Sequence, residues 1–454
     1  MLRTTLTVAA LMLLCATVVP ARAANWVAVW AASAQGPYPV GNATAQPELS
    51  FAFPNPETGA NDQTFRLIVR PDLWGKEARV RLSNVFGTQP VTFDGAYVGL
   101  QTSGAALLPG SNRPVAFGGK TRVTVAPGQS AVSDPVPLSF VHHPDDPMLA
   151  GRKLAVSFHV AGSSGPMTWH AKGLQTSYVS PPGSGSVGAG QAETAFPFST
   201  TSWYFLDAVS MTARDDTKVV VAFGDSITDG TASTLNGDDR WPDVFARRLH
   251  AAVGNRWVVV NAGIGGNQMI GPADYTVAKP ISGGPSALSR IDRDVTSLPG
   301  VAAVIWFEGI NDFGGSSATV EDVAAGYRKG VAHLRAALAG VKIYVATLTS
   351  ALASTPTHGT PDVDAKRQAL NAFFRSGSLF DGVIDFATPT MDPTTGSLKA
   401  AYQPNSTTGG AAVLPAGTVR GRWISQTLSW LSTAILEMLL ITMPPGNCGQ
   451  LGST

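Results

Sequence analysis

Two rhythms of apolar and polar residues divide the chain. From residue 25 to about 212, short stretches alternate with period two, as in Thr64-Phe65-Arg66-Leu67-Ile68-Val69-Arg70, Ala78-Arg79-Val80-Arg81-Leu82 and Thr121-Arg122-Val123-Thr124-Val125. Such alternation sets apolar side chains on one face of a strand and polar ones on the other. Turn-forming clusters such as Phe93-Asp94-Gly95 and Ala126-Pro127-Gly128 separate the runs. With no long helical stripe among them, the pattern predicts a β-sandwich-like domain over 25–212. Pro181–Gly190 reads as a flexible loop at its edge, and Thr212–Thr217 as the boundary to a second domain.

From Lys218 the rhythm changes. Continuous apolar runs recur at Val219–Phe223, Trp257–Val260, Ala302–Phe307, Ile343–Leu348 and Val383–Phe386. Amphipathic helical segments separate them, at Trp241–Val253, Ala287–Leu298, Val320–Leu338 and Val363–Phe374. In the third of these, Val320, Val323, Tyr327, Val331, Leu334 and Leu338 form one stripe, and Thr319 with Asp322 resembles a capping box. Buried strands alternating with helices predict an α/β domain over 218–410, a parallel sheet covered on both faces. Ligands bind such sheets beyond the carboxyl ends of the strands.

The N-terminus carries a separate message. Arg3, the apolar stretch Leu6–Val19 and the small-x-small pattern Ala21-Arg22-Ala23 read as a signal peptide over 1–24. The mature protein is therefore expected to be secreted or periplasmic. Cys15 falls within that leader, which leaves Cys448 alone and no internal disulfide. The composition is 14% charged with a formal net charge of +1. It gives no footprint for nucleic acid or an anionic membrane surface. In the atypical tail 411–454 the segment Trp423–Met443 is moderately apolar, but Gln426 and Glu437 argue against a membrane span.

Three loops follow the first three apolar runs: Gly224-Asp225-Ser226-Ile227-Thr228-Asp229-Gly230, Asn261-Ala262-Gly263-Ile264-Gly265-Gly266-Asn267 and Glu308-Gly309-Ile310-Asn311-Asp312. Singly these are ordinary turn residues. At the ends of consecutive strands they suit acyl transfer. Ser226 would attack an ester carbonyl, while the Ser226 and Gly266 backbone N–H groups and the Asn311 side-chain amide receive the developing charge. The blocks resemble those of the SGNH (GDSL-type) hydrolase family: Gly224-Asp225-Ser226, then Gly266, then Gly309-Ile310-Asn311-Asp312. The resemblance implies a flavodoxin-like α/β/α sandwich with a five-stranded parallel sheet. It also implies Ser226 as nucleophile, Ser226, Gly266 and Asn311 as the oxyanion hole, and no cofactor or metal. The front half, including Trp26-Val27-Ala28-Val29-Trp30-Ala31-Ala32-Ser33, resembles the accessory domain of secreted bacterial members grouped with xylan esterases, which points to acylated polysaccharide esters as substrates.

The family's last block, Asp-x-x-His, is not found. After Asp392 there is no aspartate, and after His358 no histidine. Without them a serine mechanism keeps only residual catalysis, on the order of 10⁴–10⁶ below the intact enzyme. Three explanations stand side by side. One is a reading-frame change near Gly410, which would show in the nucleotide sequence across codons 400–420. Another is a substitute base, with His358 on the catalytic side near Asp362 and Asp364. The third is a catalytically inactive, carbohydrate-binding protein on a hydrolase scaffold, with Trp26, Trp30, Trp74, Trp169 and Trp203 offered for stacking on sugar rings. The run His142-His143-Pro144-Asp145-Asp146 reads as a solvated turn rather than a metal site.

Overall fold

A computed structural model describes residues 24–41, 49–399 and 402. The leader before Ala24, the tail 411–454, Cys448 and the apolar segment Trp423–Met443 lie outside the described residues.

The front half is built of antiparallel sheets. One orders Asn25–Ala31, Leu206–Ala213, Glu77–Ser83 and Ser130–Val132, with Val136–Pro137 also paired to Glu77–Ser83. A second runs Phe198–Thr200, Ser177–Val179, Asn61–Val69, Leu154–Ser163, Val91–Leu100 and Arg113–Pro114, with Arg122–Val125 against Val91–Leu100. A third, small sheet joins Trp203–Tyr204, Thr168–His170 and Gly36–Pro37. Rings from these sheets fill the space between them: Phe205 meets Phe65 at 5.9 Å and Phe93 at 5.2 Å, edge to face. Quadrupole geometry favours such packing over face-on stacking.

Two expectations for this half change. Pro181–Gly190 is not a loose loop. Its Gly188 and Gly190 carbonyls accept from Arg66 Nη2 at 3.1 and 2.6 Å, and Gly183 donates to Asn61. Arg66 is fully buried, stands over the Phe196 ring, and burial pushes its guanidinium down to about 10. Nor do the tryptophans form a sugar platform. Trp30, Trp74, Trp169 and Trp203 are buried, and the last three donate Nε1–H to the carbonyls of Leu149, Val40 and Ile68. Arg79 covers the Trp26 ring at 4.1 Å. A large indole gains more from burial than exposure as long as its N–H finds an acceptor.

The back half holds a five-stranded parallel sheet in the order Trp257–Gly263, Lys218–Gly224, Val301–Phe307, Lys342–Ala346, Gly382–Ile384. In chain order that is 2-1-3-4-5, with the topological switch beside the first strand. The helices are α1 (Ser226–Asp229), α2 (Trp241–Val253), α3 (Ala287–Ile291), α4 (Ile310–Gly315), α5 (Val320–Ala337), α6 (Pro361–Ser376) and α7 (Ala387–Thr390). The Thr319–Asp322 capping box is present in both directions, and Thr360 caps α6 with Pro361 at its first position. The helix expected over 287–298 instead ends at Ile291 and widens into a π turn, Asp292–Thr296. The last two strands stop short of their apolar runs. Thr347 gives its N–H to Ile384 O, and its hydroxyl accepts from the Phe386 and Ala387 N–H groups where the chain turns away from the strand.

The halves share one continuous hydrophobic core, from Val27 to Phe386. Ala28 N–H donates to Pro299, Gln35 Nε2 to Ser282, and Arg293 Nη2 to Ala34. Asp72 of the front half accepts from Val259 N–H at 2.7 Å, on the outermost strand of the parallel sheet, and pairs with His250 at 3.1 Å. No helix among the described residues is long and apolar enough to cross a membrane. The close fit of α5 to the sheet can be tested at Gly330, where a methyl group would fall 2.3 Å from Trp306 Cη2. Gly330→Ala is expected to destabilise the protein by about 1–3 kcal/mol through overpacking, read as a lowered Tm with the native circular dichroism retained.

Candidate active site

The first strand ends at Gly224, whose position leaves no room for a side chain: a Cβ there would meet Phe307 O at 2.3 Å. The chain then turns so that Asp225 caps α1, its carboxylate accepting from Ile227 N–H at 2.9 Å. Ser226 becomes the first residue of that helix, half-buried, with no hydrogen bond to its Oγ among the described residues. Its own N–H sits where a helix has no earlier carbonyl to accept it.

The second loop approaches from the adjacent strand. Ile264 N–H donates to Gly224 O at 3.0 Å, and Gly265 N–H to Asp229 Oδ2 at 2.8 Å. Gly266 adopts φ +81, in the left-handed region that favours glycine, and its N–H meets no acceptor among the described residues. The third loop closes the group. Asn311, in the first turn of α4, donates Nδ2–H to Asn267 O at 2.8 Å and reaches Asp225 Oδ2 at 3.5 Å. Residues flanking Ser226 and Gly266 thus both lie against the Asn311 amide, so the three expected site residues come to one place. Asp312 locks the arrangement, accepting from Met269 N–H at 2.7 Å and Ile270 N–H at 3.1 Å.

Arg290 of α3 holds the floor beneath them. Nη2 donates to Gly224 O at 2.9 Å, Nη1 to Ala262 O at 2.8 Å and Asp294 Oδ2 at 3.0 Å, and Nε to Asn267 Oδ1 at 2.8 Å. Its plane lies 4.1 Å over the Phe223 ring, and Glu308 is 4.0 Å away. Nothing in the sequence singled out Arg290 beyond its i,i+4 spacing to Asp294.

His358 is at the site as well, in a role different from the expected base. Asn311 Nδ2 donates to a carbonyl, which orients the amide and leaves Oδ1 to accept. His358 Nε2, 3.1 Å from that Oδ1, must therefore be the donor. Its Nδ1 faces the Thr357 hydroxyl at 2.9 Å, and burial pushes the ring below the usual histidine value. The carboxylates expected beside it point elsewhere. Asp364 binds Arg367 and Gln368, and Asp362 pairs with Lys366. His358 orients the Asn311 amide. The other histidines are engaged or remote: His159 lies between Asp94 and Asp62, His170 between Ser33 and Asp229, His250 on Asp72 and His333 on Asp292, while His142 and His143 are exposed. Asp146, beside that exposed pair, caps a short turn, and among the described residues no cluster of His, Cys, Asp or Glu could hold a metal ion.

Three buried carboxyls give the site its electrostatic character. Burial, opposed in part by Arg290, pushes Glu308 up to about 8. Burial likewise pushes Asp225 up to about 7 and Asp312 up to about 6. Unfolded, such groups titrate near 4, so the folded protein binds more protons than the unfolded chain above that pH. Their contribution to stability is full below about pH 4 and is lost as pH rises through the folded values. Glu308→Gln is expected to flatten the fall in unfolding free energy between about pH 4 and 8, measured by urea titration. Arg290→Met removes the buried cation that serves Gly224, Ala262, Asn267 and Asp294, leaving Asp294 only Arg293, and should cost about 3–5 kcal/mol, visible in the same titration.

Residues 222–406 match the family model described as the GDSL-like lipase/acylhydrolase family. No curated protein matches the chain. Among solved structures, a carbohydrate acetylesterase from Sinorhizobium meliloti is 18% identical, covering 50% of this chain and 100% of its own, with a TM-score of 0.34. A GDSL-like lipase from Bacteroides thetaiotaomicron is 18% identical over 49% of this chain and 89% of its own, TM-score 0.33. A family two carbohydrate esterase from Clostridium thermocellum, in complex with cellohexaose, is 14% identical over 85% of this chain and 96% of its own, TM-score 0.35. The family match spans the strand-end loops of Ser226, Gly266 and Asn311, so residues 222–406 form a domain similar to the GDSL-like lipase/acylhydrolase, or SGNH hydrolase, family.

Proposed function

We propose that this protein is an exported carboxylic ester hydrolase acting through an acyl-Ser226 intermediate. Ser226 Oγ adds to the ester carbonyl carbon, and the carbonyl oxygen becomes an oxyanion. The Ser226 and Gly266 N–H groups and the second N–H of Asn311, weakly occupied by Asp225 at 3.5 Å, are the donors for it. The tetrahedral intermediate collapses with loss of the alcohol, and water then hydrolyses the acyl-serine. The observation that carries this reading is the Asn311 amide, which touches the neighbours of both Ser226 and Gly266.

The proton of Ser226 has no histidine to receive it, since all seven are exposed elsewhere or engaged with other partners. Water takes that place, and turnover is slow by the 10⁴–10⁶ typical of lost triad members, as an order of magnitude. The front half's resemblance to the accessory domain of xylan-esterase-like proteins favours acylated carbohydrate as the alcohol side. Removal of residues 1–24 during export would place the enzyme where such polymers occur.

Hydrolysis of p-nitrophenyl acetate by the full chain is expected to be slow and to vanish in Ser226→Ala. Asn311→Ala should lower kcat by about 10²–10³-fold. Added imidazole, a diffusible base, is expected to raise the wild-type rate in proportion to its concentration and to do nothing for Ser226→Ala. Binding of xylan or cello-oligosaccharides with no serine-dependent turnover would instead favour the passive carbohydrate-binding reading.

A further inference from the structure

The front half sends one segment, Thr168–Gly173, into the catalytic half. Its strand Thr168–His170 is held between Trp203–Tyr204 and Gly36–Pro37. His170 is buried, stacked on Trp203 at 5.5 Å, with Nδ1 2.7 Å from Ser33 O. A carbonyl only accepts, so Nδ1 carries a proton. The other nitrogen, Nε2, lies 3.1 Å from Asp229 Oδ1. The approach is too oblique for an aligned hydrogen bond, so a proton on Nε2 would hold the pair together by charge.

Asp229 is the last residue of α1, the helix that begins with Ser226. Its second oxygen accepts from Gly265 N–H at 2.8 Å, one residue before Gly266. One buried carboxylate therefore connects the nucleophile helix to the oxyanion loop, and a side chain of the other half faces it. Lys172 stands beside the same loop: its Nζ donates to Thr231, and a Cβ on Gly265 would lie 2.8 Å from that Nζ. Arg240 also faces Asp229 electrostatically and donates to the carbonyls of Lys172 and Gly173. Burial alone would push the Asp229 carboxyl up, but His170, Lys172 and Arg240 outweigh it and hold the group below the usual carboxylate range.

We propose that His170 is a positioning residue supplied by the front half, which fixes Asp229 and through it the Gly265–Gly266 backbone that receives the oxyanion. The inference rests on the reading of Ser226 and Gly266 as nucleophile and donor. Asp229 has no catalytic step of its own; it spaces two elements that must not drift, and a displacement of about 1 Å at such a point can cost about 10²-fold in rate.

The test compares the full-length chain with His170→Gln. Hydrogen–deuterium exchange reads the Gly265 amide, and p-nitrophenyl acetate hydrolysis is followed against pH. Expected are at least about tenfold faster exchange at Gly265 and about 10²-fold lower kcat with little change in KM. The acidic limb of the kcat profile should move to higher pH, because Asp229 loses a neighbour that holds its carboxyl down. A lowered Tm with unchanged Gly265 exchange and an unchanged acidic limb would mean a merely structural histidine and would overturn the inference. If His170→Gln does not fold, Asp229→Asn, which keeps the side-chain volume, carries the same exchange measurement: faster exchange supports the inference and unchanged exchange overturns it. A wild-type chain without turnover whose Gly265 exchange still rises on mutation sinks the esterase reading and leaves the positioning role standing. Turnover with unchanged exchange does the reverse.

Discussion

One guanidinium holds the site together. Arg290 is fully buried, and its donors reach the carbonyls of Gly224 and Ala262, the side chain of Asn267, and Asp294. Those partners lie on the ends of two strands, on the loop between strand and α3, and on the turn after α3. A lysine would offer a point charge to one or two of them, whereas the planar fork of arginine serves several at fixed angles. The cation also tempers a crowd of acids. Asp225, Glu308 and Asp312 are all buried close by, and burial pushes each of them up, so near neutral pH the group shares protons rather than bearing three full charges. The geometry of the loops and the charge state of the floor are thus two results of the same buried residue.

The plan of the back half was legible because parallel strands covered on both faces must be apolar throughout, and Val219–Phe223 and Ala302–Phe307 are. Helix starts were equally visible where a side chain does the capping, as at Thr319. The three residues expected at the site could be placed near one another because each lies just beyond the end of such a strand. Arg290 could not, since its importance exists only once Gly224, Ala262 and Asn267 have converged on it. His170 was hidden for a related reason: a strand of only three residues in the front half gives no sign that its last residue faces a helix of the other half.

Composition misled where it stood in for packing. The Gly- and Ser-rich stretch Pro181–Gly190 has the residues of a loose loop, yet its carbonyls are needed to satisfy Arg66, a cation buried far away in sequence. Of the tryptophans counted as possible sugar platforms, Trp30, Trp74, Trp169 and Trp203 are core residues, the last three with satisfied N–H groups, and Trp26 lies under Arg79. His358 was correctly placed on the catalytic side, but chain position could not reveal that Asn311 would occupy the nitrogen a base must keep open.

The Asp72 contact has a meaning beyond joining the halves. Trp257–Gly263 is the outermost strand of the parallel sheet, and an uncovered strand of this kind, rich in valine, is a template for pairing with another molecule. The Asp72 carboxylate occupies the Val259 N–H at the middle of that strand, and Asn25–Ala31 packs alongside. The antiparallel half therefore acts as a guard against intermolecular strand addition. A version of the catalytic half without it would present a bare row of backbone donors and acceptors to its neighbours, and would be prone to self-association before any question of chemistry arose.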